Sequence, residues 1–131
     1  MLGSKMKRRD FIKKAGLASL TLTATRISYA KEEKNMYGII GKMIATPDER
    51  DHLIGILLGG TKNMPGCIQY VVSKDLEDEN AIWITEVWKD QESHQASVSL
   101  PSVQEAIAKG RPLIASFAER HTVEPVGGQG I

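Results

Sequence analysis

The eight residues Ala81–Trp88, AIWITEVW, constrain the fold of this chain more than any other stretch. Their β-branched and aromatic residues predict a strand. Strand alternation sets Ile82, Ile84, Glu86 and Trp88 on one side, and Trp83 and Val87 on the other. Both sides carry large apolar groups, and a sheet with two apolar faces needs two covers. Helices of the same chain can supply one. The chain has no further elements for the second, so a second copy is expected there and the protein is expected to be a homodimer.

The other elements fall in order around this strand. Tyr37–Ala45 (YGIIGKMIA) predicts a first strand. Thr46-Pro47-Asp48-Glu49 has the composition of a helix start, with Thr46 and Glu49 spaced as a capping box. Such a cap is worth about 1 kcal/mol. Leu53, Ile54, Leu57 and Leu58 give that helix an apolar face. Gly59-Gly60 weakens it, and Pro65-Gly66 closes the connection. Cys67–Ser73 predicts the second strand. The acids of KDLEDEN, between it and Ala81, lack the spacing of a calcium loop and read as a solvated hairpin turn. Asp90 is placed to cap a helix through His94 to about Val98. Pro101 restarts the helix, Val103 and Ile107 share a face, and Gly110 stops it. Phe117–Val126 predicts the last strand. The order β-α-β-β-α-β is an α+β, ferredoxin-like split βαβ arrangement, with a four-stranded antiparallel sheet and helices on one face.

Charge is distributed unevenly. Residues 1–30 hold seven Lys/Arg and one acid, leaving ten basic and fifteen acidic residues after position 30, a net of −5. An acidic body argues against nucleic acid as a partner. The basic head, short mildly apolar middle and Ser28-Tyr29-Ala30 end have the layout of an export signal. Arg8-Arg9-Asp10-Phe11-Ile12-Lys13 resembles the twin-arginine signal. The apolar run is too short for a stable membrane span. The expected organisation is an export signal at 1–30, a linker at 31–35, a domain at 36–127 and a tail at 128–131, with a periplasmic destination. Cys67 is the single cysteine, so no internal disulfide forms, and it reads as a structural residue.

Four segments together carry a resemblance. They are Pro65-Gly66-Cys67 leading to Tyr70, Thr85-Glu86-Val87-Trp88 with Asp90 beyond, Ser99-Leu100-Pro101, and Arg111-Pro112-Leu113-Ile114. In this series the chain resembles the antibiotic biosynthesis monooxygenase domain family over about residues 36–127. The resemblance implies a homodimer in which two sheets pack face to face as a dimeric α+β barrel, each subunit with a pocket between sheet and helices. It implies a cofactor-independent oxygenase that oxidises a quinol or related phenolic or polycyclic aromatic with O2, with no cofactor and no metal. Pocket positions of polyketide-oxidising members fall on Ile84, Trp88 and His94. Trp88 and His94 are thereby implied as catalytic, with His94 as base, and Trp88, Ile84 and Glu86 as substrate-binding. An imidazole titrates near neutral pH, which suits a general base.

The residues themselves show no glycine-rich nucleotide loop, no CxxC and no histidine pair at metal-ligand spacing. His52, His94 and His121 lie on three separate elements, and Tyr37 and Tyr70 read as sheet packing. The positions where haem-degrading relatives carry an Asn and a His hold Gly41-Lys42 and Ile107, which disfavours haem degradation. A non-catalytic small-molecule-binding or stress-response dimer remains the alternative, because this fold is reused for many purposes.

Overall fold

A computed structural model describes residues 35–131, which form one compact unit. The export-signal reading of residues 1–30, and most of the linker, lie outside the described residues. Four strands, β1 (Tyr37–Ala45), β2 (Cys67–Lys74), β3 (Ala81–Trp88) and β4 (Ile114–Val123), make one antiparallel sheet in the order β2-β3-β1-β4. Helices α1 (Arg50–Gly60), α2 (Gln91–Ser97) and α3 (Pro101–Gly110) connect them, and a 3-10 turn, Arg111–Leu113, leads into β4. This is the ferredoxin-like α+β order. Among the described residues no helix is long and apolar enough to cross a membrane.

Register assigns each side chain to a face. Tyr37, Ile39, Gly41 and Met43 of β1 sit opposite Trp88, Glu86, Ile84 and Ile82 of β3. Directly paired residues point to the same side. Ile82, Ile84, Ala45 and Leu53 form the buried centre of the core, with Met43, Ile54, Leu57 and Tyr70 packed around it. The helices therefore cover the Trp88 side. The opposite side presents Ile40, Ile44, Trp83 and Val87, each only half-buried.

Three local features differ from the sequence expectation. Helix α1 begins at Arg50, without a side-chain cap. Thr46 donates its backbone N–H to Leu113 O at 2.8 Å, which ties it to the turn before β4. Glu49 meets His52 Nδ1 at 2.9 Å rather than reaching back to Thr46. Asp48 takes φ of 67°, so residues 46–48 form a turn and not a helical start. Leu58 is 48% exposed and lies outside the core. Strand β4 starts at Ile114 because Ala45 pairs with it, and it ends where Gly38 meets Val123 near the start of β1.

Two turns are held by specific bonds. Gly66 has φ of +80°, and a Cβ there would lie 2.6 Å from Cβ of Ser93. Only glycine fits both the left-handed backbone and the close approach of α2. At the β2–β3 hairpin, Arg50 Nη1 donates to the carbonyls of Asp75 (3.2 Å), Asp78 (3.0 Å) and Ala81 (3.4 Å). The acidic turn is thereby fastened to the start of α1.

Helices α1 and α3 pack together, with Gly110 against Leu53 and Ile56 and Gly60 against Ala106. A Cβ on Gly60 would overlap the Ala106 side chain and lie 2.9 Å from Ser102 O, so the two backbones meet there with nothing between them.

Candidate active site

Strand β3 supplies the spine of the site. Ile84, Glu86 and Trp88 follow one another along its helix-facing side. Trp88 is fully buried, and its Nε1–H donates to Glu86 Oε1 at 3.0 Å. A carboxylate inside an apolar face needs such a donor, and it comes from the indole two residues along the same strand. Burial pushes the Glu86 carboxyl up, while the Trp88 bond and the nearby Arg120 guanidinium pull it back. Arg120 arrives from β4, paired opposite Gly41. Tyr70 arrives from β2, paired opposite Glu86. Burial and the Glu86 charge together raise the Tyr70 hydroxyl far above its ordinary range, so at neutral pH it is a hydrogen-bonding phenol. Cys67 is raised for the same two reasons, which fits a protonated, structural thiol.

Asp90 caps α2 by accepting from Ser93 N–H at 2.8 Å, as its sequence position predicts. That cap sets His94 over the end of the sheet. Its ring meets Trp88 edge-on at 5.5 Å between centroids and Tyr37 at the same separation. Burial first, and then the Arg120 charge, lower the His94 pKa, which favours the neutral ring.

Between the sheet and α1 lies a cavity of about 280 Å³, walled by Ile39, Gly41, Ile84, Glu86 and Arg120, with Tyr70 at its side. Ile84 and Glu86 line this cavity. Trp88 stands behind Glu86 with its N–H already engaged. His94 meets Trp88 edge-on and is not among the residues lining this cavity. The structure therefore brings Glu86, Trp88 and His94 into one connected cluster and sets Glu86 at the cavity wall.

Arg120 and Tyr70 were missed as site residues in the sequence. Tyr70 looked like packing, and Arg120 sits in a strand whose register depends on an irregularity opposite Lys42 and Met43. The one available signal was Tyr70's place in the PGC-x-x-Tyr series. Among the described residues, no three of His, Cys, Asp and Glu converge as a metal site.

Fold and cavity together define a ferredoxin-like α+β protein with a partly polar pocket between its sheet and helices. The sequence pattern of the antibiotic biosynthesis monooxygenase family matches residues 36–109, and the chain belongs to that family. The crystal structure of a candidate antibiotic biosynthesis monooxygenase from Chloroflexus aurantiacus J-10-fl is 64% identical, with a TM-score of 0.72, covering 73% of this chain and 98% of that one. A similarly described protein from Caulobacter crescentus CB15 is 16% identical with a TM-score of 0.66, covering 72% of this chain and 93% of that one, a likeness of fold alone. Among curated proteins, the uncharacterised sll1783 of Synechocystis is 25% identical over 84 residues, 62% of this chain. The match spans 57% of that relative's length.

Proposed function

We propose that this protein is a cofactor-independent oxygenase that oxidises a quinol or related phenolic ring with O2. The observation that carries the reading is the Glu86 carboxylate, anchored by Trp88 N–H and set into the wall of an otherwise largely apolar cavity beside Arg120 and Tyr70. A flat phenol enters against Ile84 and Ile39. Removal of its proton leaves an electron-rich phenolate, which is itself the reductant for O2. One quinol and one O2 then give one hydroxyquinone and one water, with no external electrons. The protein's part is to bind the ring, take the proton and stabilise the anion. Arg120 supplies positive charge at that point.

Two groups support the reading as proton acceptors, Glu86 at the cavity wall and His94 behind it. Glu86 faces the cavity and has a carboxyl raised toward the working range of a base. His94 has a lowered pKa, which favours the neutral ring, and lies behind Trp88. The half-buried face of Ile40, Ile44, Trp83 and Val87 supports assembly as a homodimer with the two sheets face to face. The twin-arginine sequence supports a periplasmic destination.

Oxygen uptake with a panel of quinols tests the activity. With an active quinol in hand, Glu86→Gln and His94→Ala identify the base. The variant lacking the base should lose turnover by roughly 10²–10⁴-fold. No oxygen uptake with any quinol in the panel would overturn the oxygenase reading, and wild-type turnover in both variants would remove Glu86 and His94 as the base.

A further inference from the structure

The cavity beside Glu86 is not closed. It shares Met43, Leu57, Tyr70 and Phe117 with a second lobe of about 340 Å³ that runs between the sheet and helices α1 and α3. The two lobes differ in chemistry. The first holds one ionisable side chain of each sign on the helix-facing side, Glu86 and Arg120, while Lys42 and Glu119 at its edge are in register with Trp83 on the open face. The second is walled mainly by Leu53, Val103, Ala106, Ile107 and Ile114. Phe117 stands where they join and is 74% exposed, so the junction is bounded by a ring rather than by packed backbone.

From this we infer that the natural ligand is an amphiphile, a neutral phenolic or quinol head in the Glu86–Arg120 lobe with a linear apolar tail in the Leu53–Ile107 lobe. The inference deepens the oxygenase reading and rests on it for the phenolic nature of the head. Balanced charge in the head lobe suits a group that both donates and accepts hydrogen bonds. A carboxylate or phosphate head would meet Glu86 as well as Arg120. A single ring leaves the second lobe with nothing to cover its apolar walls. A tail of several methylenes covers them, and each buried methylene tightens binding by about fourfold. Sites for small molecules typically enclose about 300–1,000 Å³, and the head lobe by itself, at about 280 Å³, falls just short of that range.

The test is equilibrium binding by titration calorimetry at pH 7, with a series from phenol through para-ethyl and para-butyl to para-hexylphenol, and with hexylbenzene as the headless control. Affinity should climb about fourfold per methylene along the series, and hexylbenzene should bind more weakly than para-hexylphenol. Ile107→Trp fills the second lobe from a partly exposed helix position and should remove the gain from the longer chains. Val103→Trp repeats the test from the next turn, with circular dichroism confirming that each variant is folded. A flat series, a headless control that binds equally well, or an undiminished slope in both folded tryptophan variants would each overturn the inference. A flat series alongside quinol turnover overturns the tail and leaves the oxygenase reading standing. A steep series without oxygen uptake overturns the oxygenase reading and leaves a carrier of tailed phenols. No binding by any member, together with no oxygen uptake with any quinol, overturns both.

Discussion

Strand β3 carries two tryptophans, and each donates its indole N–H to a carboxylate on its own side of the sheet. On the helix-covered side Trp88 bonds Glu86 at 3.0 Å. On the open side Trp83 bonds Asp75 Oδ2 at 2.8 Å. The two carboxyls respond in opposite directions. Asp75 is lowered to about 2, first by Trp83, then by the backbone N–H groups of Glu77 and Asp78, with Lys42 adding its charge. Glu86 is raised, because burial outweighs its one indole donor and the Arg120 charge. The same bond therefore accompanies a lowered acid where several donors converge, and a raised acid where the donors are too few to offset burial. Asp75, Trp83 and Lys42, whose ammonium lies 5.3 Å from the Trp83 ring centre, form a fixed patch on the open face.

The largest expected effect comes from removing the rings. Trp88→Ala should cost about 3–5 kcal/mol of stability, as large buried aromatics do, and Trp83→Ala clearly less, because Trp83 is only half-buried. Urea denaturation of the two variants checks this, and equal losses would mean that the open face is packed as tightly as the core.

Next come the carboxyls, where the signs separate. A raised acid stabilises the fold below its unfolded pKa of 4.5 and loses that contribution as pH rises through its folded value. Glu86→Gln should therefore melt a few degrees above wild type at pH 7, with the gap closing below about pH 4.5, while activity falls. Asp75 is the reverse case. Its contribution is present above 3.8 and is lost as pH falls toward about 2. Asp75→Asn should melt below wild type at pH 7, and the two should converge toward pH 2. Melting curves across pH decide both. Matching slopes for the two variants would erase the distinction between the faces.

The smallest effect is local. Trp83→Phe removes the strongest of the donors to Asp75, so the Asp75 carboxyl should move up from about 2 while staying below 3.8. A carbon-detected NMR titration reads this directly. An unmoved value would show that the two backbone donors suffice.

Much of this pattern was legible in the sequence, and its limits have physical causes. The β1 and β3 boundaries, the Asp90 cap and the Gly110 stop all follow from local rules, and all appear as expected. Alternation alone set Ile84, Glu86 and Trp88 on one side. The Thr46 cap failed because a tertiary bond to Leu113 competes for its backbone. Arg120 and Tyr70 were not legible as site residues. Each joins the site through the register of a different strand on β1 or β3, and that register is fixed by irregularities that leave no local signature. The donor to Glu86 lies two residues away on the same strand, a pairing that alternation permits but does not specify.

The contact between Gly60 and Ala106 has a consequence for how such a molecule diversifies. A hydrogen atom at position 60 lets α1 and α3 meet backbone to backbone, and Leu53, Leu57 and Ala106 on these two helices also wall the apolar lobe. The bore of that lobe is therefore set by a side chain that is missing elsewhere. Adding one methyl at position 60 must spread the helices, because Ser102 O and the Ala106 methyl already occupy the space. The width of the lobe can thus drift by a single codon outside its lining while Glu86 and its surroundings stay unaltered.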